Sequence, residues 1–232
     1  MKMKPAQVMV VTPHPDDAEY GVAGTVARWA SEGKEIVYVV CTNGDKGSSD
    51  SNAKPEELAR IREEEQMAAA TVLGVREVIF LRHPDQSLED TPQFRKELVR
   101  LIRTYRPETV VTADPYRRYI WHRDHRITGQ VTLDAVFPYA RDPLSYPDFM
   151  RQKLKPHKVR EILLWGSEDV NHRADITDTF HLKLAALECH KSQVGHIPPR
   201  ELEEWLKQRH RTLAEGEEFQ LAEAFHRVEI LR

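Results

Sequence analysis

Apolar positions along the chain fall into short continuous runs separated by amphipathic stretches. Gln7-Val-Met-Val-Val11, Glu35-Ile-Val-Tyr-Val-Val-Cys41, Glu77-Val-Ile-Phe-Leu81 and Thr109-Val-Val-Thr-Ala113 are uninterrupted runs of strand length. Residues 18–31, 56–73 and 91–105 alternate with them and repeat at helical spacing; Gly33 and Gly74 stand where the first two should stop. Continuous apolar strands alternating with helices predict a parallel sheet covered on both faces. Beyond Arg123 a helix is expected to about Phe137, then a Pro-rich irregular stretch to His157. Residues 161–165 read as a further strand, and 178–191 and 199–213 as helices. The pattern over 220–230 fits helix or strand. The expected fold is α/β, a Rossmann-like three-layer sandwich with a mostly parallel sheet. Its active site is expected at the C-terminal ends of the strands. That placement gathers four polar loops, 12–17, 42–55, 82–90 and 114–125.

Composition narrows the function. The 232 residues suit one domain, with the part from about 138 elaborating the cleft. A net charge of -3 and no basic run leave no electrostatic footprint for nucleic acid. No apolar stretch approaches the roughly 18 to 20 residues of a membrane span, and Val8–Val11 is too short for a signal peptide. Cys41 and Cys189 form no CxxC and read as reduced thiols of a cytoplasmic protein. The 11 histidines are many for this length, so their clustering with carboxylates matters most.

Two motifs carry that clustering. His14-Pro-Asp-Asp17 follows the first strand and His122-Arg-Asp-His125 the fourth. Imidazole and carboxylate are good zinc ligands, and His14, Asp17 and His125 with one water make an open catalytic site. Asp16 can take a proton from that water, and His122 can donate to an oxyanion or protonate the leaving amine. Each motif also has an ordinary reading. Pro-Asp-Asp is a normal helix start, and isolated histidines are commonly surface residues. Their shared position on one rim of the sheet favours the chemical reading.

The chain resembles the LmbE-like, or PIG-L, family of zinc N-deacetylases. Matching segments are Pro13-His-Pro-Asp-Asp17, Thr42-Asn-Gly-Asp-Lys-Gly47, Arg62-Glu-Glu-Glu-Gln66, His83-Pro-Asp-Gln-Ser-Leu88, His122-Arg-Asp-His-Arg126 and His190-Lys-Ser-Gln193. Together they span about residues 7 to 195. The resemblance implies zinc on His14, Asp17 and His125, Asp16 as base, and His122 assisting the tetrahedral intermediate. It implies that Arg62 and Asp85 bind sugar hydroxyls. It further implies a small soluble N-acetyl amino sugar or conjugate as substrate, and a homo-oligomer, trimer or hexamer. Arg123 and Gln86 depart from the family's usual Pro and Gly. Arg62 could instead pair with Glu65, and Asp85 could be a turn residue. Asp114 is a candidate for orienting His125, and His190 and Gln193 for supporting a ligand. Trp121, Tyr116 and Tyr119 crowd the second motif and could pack a sugar or only the loop.

Three rival readings have less support in the sequence or stay open beside this one. A metal phosphoesterase usually needs two bridged metals, and only three convincing ligands are present. A nucleotide-binding module lacks its glycine motif, since Gly21-Val-Ala-Gly24 is no dinucleotide fingerprint. A metal amidase acting on a non-sugar thiol conjugate stays open.

Overall fold

The computed structural model describes residues 4–119 and 121–230. Its centre is a seven-stranded sheet. In chain order the strands are β1 (Val8–Thr12), β2 (Ile36–Thr42), β3 (Glu77–His83), β4 (Thr109–Ala113), β5 (Glu161–Trp165), β6 (His172–Asp175) and β7 (Ala222–Glu229). The helices are α1 (Asp17–Gly21), α2 (Ala23–Ser31), α3 (Pro55–Leu73), α4 (Pro92–Tyr105), α5 (Arg123–Asp134), α6 (Pro147–Arg151), α7 (Phe180–Glu188), α8 (Lys191–Val194) and α9 (Pro199–Leu213).

The strand order is β3-β2-β1-β4-β5-β7-β6. β1 to β5 run parallel, while β7 is antiparallel to both β5 and β6. β1 shows why its apolar run is unbroken. Met9 and Val11 pack on one face with residues of α4 and α5, and Val8 and Val10 on the other with α2, α3 and α7. Both faces being covered, polar alternation has no place in such a strand. The chain reverses direction along the sheet between β1 and β4, so a crevice opens beyond their carboxyl ends.

The structure corrects several boundaries. The helix expected over 18–31 is broken at Val22, whose φ of -146° is not helical. At the start of α2, the N–H groups of Gly24 and Thr25 donate to the buried Glu223 carboxylate of β7. A cap from a distant strand leaves no local signal. The helix expected to Phe137 ends at Asp134 and continues as a π-helical turn, in which Phe137 is extended because Pro138 follows it. Residues 220–230 resolve as β7, and β6 was not foreseen. A four-residue strand carrying His172, Arg173 and Asp175 offers little apolar pattern. Among the described residues no helix is long and apolar enough to cross a membrane.

Candidate metal centre

The loop after β1 turns sharply. Asp16 has φ 98°, a left-handed conformation that L-residues other than glycine rarely adopt. The turn is clamped from α3. Gln66 Oε1 accepts the Asp16 N–H at 3.1 Å, and Arg62 Nη2 donates to the Pro15 carbonyl at 2.6 Å. These residues are four apart on α3 and so share a face. Strain held this way at a turn of polar residues is typical of functional sites.

Three side chains converge there. Asp17 Oδ2 lies 2.9 Å from His14 Nδ1 and 3.1 Å from His125 Nε2. His14 and Asp17 follow β1, while His125 sits in the first turn of α5, just beyond β4. Zinc bonds near 2.1 Å in a tetrahedron separate ligand atoms by about 3.4 Å, so this spacing fits a small divalent metal. Nitrogen and oxygen donors from two histidines and one carboxylate suit that chemistry. His122 lies close by, one of its ring nitrogens within 4.8 Å of one on His14 and one on His125. Burial pushes the Asp17 carboxyl up, but His125 and His14 outweigh it and hold it well below the usual range.

Behind the ligands lies a second group. His14 Nε2 is 3.2 Å from Asp124 Oδ2, which forms the hydrogen bond. Asp85 Oδ1 is 3.0 Å from the same nitrogen but off the N–H direction, and accepts no hydrogen bond. Asp124 also accepts the N–H groups of Gln86 and Leu88. Burial pulls the His14 imidazole down, yet the neighbouring carboxylates of Asp124, Asp17 and Asp85 carry it up to about 12.

Asp16 faces the centre. Burial first, then the Asp17 charge, pushes its carboxyl up to about 7, against the pull of Arg62, whose Nη2 is 3.4 Å away. His122 caps α5. Its Nδ1 accepts the Asp124 N–H at 3.1 Å, so the neutral ring carries its proton on Nε2. Desolvation and the neighbouring His14 and His125 hold its pKa below the ordinary value.

All seven candidate residues thus lie at one rim. Arg62 and Asp85 are nearly fully buried. Arg62 spends two donors on the carbonyls of Gly44 and Pro15, and its Nε has no hydrogen-bond partner among the described residues. It does not pair with Glu65, which binds Ser192. The Thr42-Asn-Gly-Asp-Lys-Gly47 loop wraps this guanidinium so tightly that a Cβ on Gly44 or Gly47 would lie 2.5 or 2.4 Å from Arg62 Nη1.

Asp114 does not reach His125. Its Oδ1 accepts the Tyr116 N–H, and His125 Nδ1 is buried without a partner among the described residues. Trp121 is the neighbour that fixes His125, with ring centroids 4.6 Å apart. His190 stands one step removed. Its Nε2 is 3.3 Å from Glu19 Oε2, and Glu19 Oε1 accepts from the Gln66 amide that holds Asp16. Gln193 donates to the Gly47 carbonyl. Tyr116 and Tyr119 are exposed.

Sequence reading missed Asp124, Gln66 and Glu19 as parts of the centre. Gln66 had a signal in its four-residue spacing from Arg62. Asp124 stood between two histidines, where its own role was masked. Gln86, which replaces the usual Gly, takes φ 64° and still delivers its N–H to Asp124.

Known proteins resemble this chain in sequence and fold. The profile of the PIG-L family, described as GlcNAc-PI de-N-acetylase, matches residues 9–136. A diacetylchitobiose deacetylase of Thermococcus kodakarensis is 35% identical over 191 residues, covering 81% of this chain and 70% of that protein. A probable N-acetyl-alpha-D-glucosaminyl L-malate deacetylase of Bacillus anthracis is 30% identical and covers 80% of each chain. The solved structure of an N,N'-diacetylchitobiose deacetylase from Pyrococcus horikoshii superposes with a TM-score of 0.90 at 30% identity, over 97% of this chain and 84% of that one. The family match contains all seven residues of the rim, and the chain belongs to the PIG-L, or LmbE-like, family of metal-dependent deacetylases.

Proposed function

We propose that this protein is a zinc-dependent N-deacetylase that releases acetate from a small N-acetylglucosamine compound. The observation that carries the reading is the approach of His14 and His125 to one oxygen of Asp17, with Asp16 and His122 beside them. Three of these groups would hold the metal and leave one position open. When bound, zinc polarises the acetyl carbonyl and acidifies a water.

The remaining work falls to the chain. Asp16, near neutrality in its proton affinity, accepts a proton from the attacking water and returns it to the departing amine. Arg62 holds Asp16 in place across 3.4 Å. His122 donates its Nε2 proton in a hydrogen bond to the oxygen that gains charge. Asp85 Oδ1 and Arg62 Nε lack hydrogen-bond partners among the described residues, and sugar hydroxyls would satisfy them. The names of the relatives support an N-acetylglucosaminyl substrate. The reading takes residues 1–232 as one unit, a cytoplasmic homo-oligomer.

The test is acetate release from N-acetylglucosamine, diacetylchitobiose and a small N-acetylglucosaminyl conjugate, beside an acyclic N-acetyl amine. The sugars should react far faster. Equal turnover of the acyclic amide would remove the hydroxyl-reading role. Cleavage of a phosphodiester and of no amide would overturn the assignment.

A further inference from the structure

A pocket of about 200 Å³ adjoins the metal centre on its other side. Arg62 and the 42–55 and 82–90 loops stand over β1, β2 and β3, whereas this pocket lies over β4, β5 and β7. Asp17 and His125 form its inner wall, and Trp121 and Trp165 line it further out. Arg117, in the loop after β4, and Arg209, on α9, also line it and are both exposed. Arg117 stacks 4.4 Å above the ring of Trp121, the residue that packs on His125.

The charges here are unbalanced. The carboxylates lining the pocket are committed elsewhere. Glu223 accepts from Lys183, Gly24 and Thr25, and Asp17 faces His14 and His125. Neither Arg117 nor Arg209 forms an ion pair among the described residues, although the adjacent Arg118 pairs with Glu168. The two guanidiniums also feel each other. Partial desolvation and then the Arg117 charge push Arg209 below its ordinary value. Two like charges beside one small pocket, with no carboxylate paired to either, favour an anion placed between them.

The reaction supplies such an anion. Water adds its oxygen to the acyl carbon, the C–N bond breaks, both water protons pass to the amine, which leaves as an ammonium ion, and the acyl group departs as a carboxylate. A sugar held over β1 to β3 by Arg62 and Asp85 would direct its acyl group toward β4 and β5. Resting on the deacetylase reading above, we propose that Arg117 and Arg209 bind the carboxylate of the acyl product in this pocket. The neutral amide gains nothing from the pair, so the cations favour product departure toward this side without holding substrate.

The test compares the zinc-loaded protein with Arg117→Gln/Arg209→Gln at constant ionic strength. Carbon-13 acetate is titrated by NMR, and acetate inhibition of N-acetylglucosamine turnover is measured in parallel. Charge-assisted hydrogen bonds predict that the acetate dissociation constant rises about tenfold or more, with product inhibition weakening equally. KM for the neutral substrate should rise less than about threefold. An unchanged acetate constant would overturn the proposal, assigning acetate to the metal alone. An equal rise in KM would also overturn it, because the pair would then serve substrate binding. The NMR titration reads the site even if no N-acetyl sugar is hydrolysed, which separates this failure from failure of the deacetylase reading.

Discussion

The Asp124 carboxylate lies 3.2 Å from His14 Nε2, across 110 positions of sequence, and also gathers the N–H groups of Gln86 and Leu88. One side chain thereby ties together the loops after β1, β3 and β4. By accepting a hydrogen bond from Nε2–H it would leave Nδ1 of the neutral ring as the nitrogen offered to a metal beside Asp17. Such outer partners typically contribute about 10 to 100-fold to metal affinity. Asp124→Ala should weaken zinc binding by that order in a chelator competition assay. A wild-type dissociation constant would show that His14 is positioned without it.

Asp16 should separate from the ligands. Asp16→Asn keeps the turn and the size of the side chain but cannot accept a full proton. It should retain its metal and lose about 10² to 10⁴-fold in turnover. Near wild-type turnover with full metal content would mean that Asp16 only shapes the turn.

Stability below neutral pH should depend on His210. Burial, and then the Lys183 charge, push this imidazole from 6.5 to about 4, and its Nδ1 bonds the Ala222 carbonyl at 2.6 Å. Its folded pKa is below the unfolded one, so protonation favours the unfolded chain. The contribution is complete above about pH 6.5 and is lost as pH falls toward 4. At about 1.4 kcal/mol per pK unit, the loss is of order 3 kcal/mol. Denaturation curves of His210→Gln between these limits should decline less steeply than wild type; parallel curves would refute the linkage.

Much of this architecture was readable in advance. β1, β2 and β4 are sandwiched between helices, so burial writes them as unbroken apolar runs. The four rim loops follow from the strand ends, and His14, Asp17 and His125 from their spacing. What stayed hidden depends on distant partners. Glu223 caps α2 from the far end of the chain, and Asp124 bridges to His14 from another loop. The role expected of Asp114 fell to Trp121, because the Asp114 carboxylate is taken by its own turn. β6, short and polar at the sheet edge, is specified by pairing with β7 alone.

The Glu223 cap makes a separate prediction. Lys183 is fully buried, and its Nζ donates to Glu223 Oε1 and to the Glu19 and Tyr20 carbonyls. Removing one partner strands the other charge, at a cost of about 3 to 5 kcal/mol. Lys183→Met should lose stability on that scale in urea unfolding, and Lys183→Met/Glu223→Gln should recover part of it. A loss below about 1 kcal/mol would mean that the pair is already neutral or hydrated.

The most direct test of the central claim joins metal content to acetate release. The protein is stripped with a chelator, reloaded with zinc, and assayed on N-acetylglucosamine and diacetylchitobiose, beside His14→Ala and His125→Ala. The account predicts one metal per chain, no turnover when stripped, recovery on reloading, and variants that neither hold metal nor release acetate. Undiminished acetate release from the stripped protein, or full metal occupancy in both variants, would contradict it.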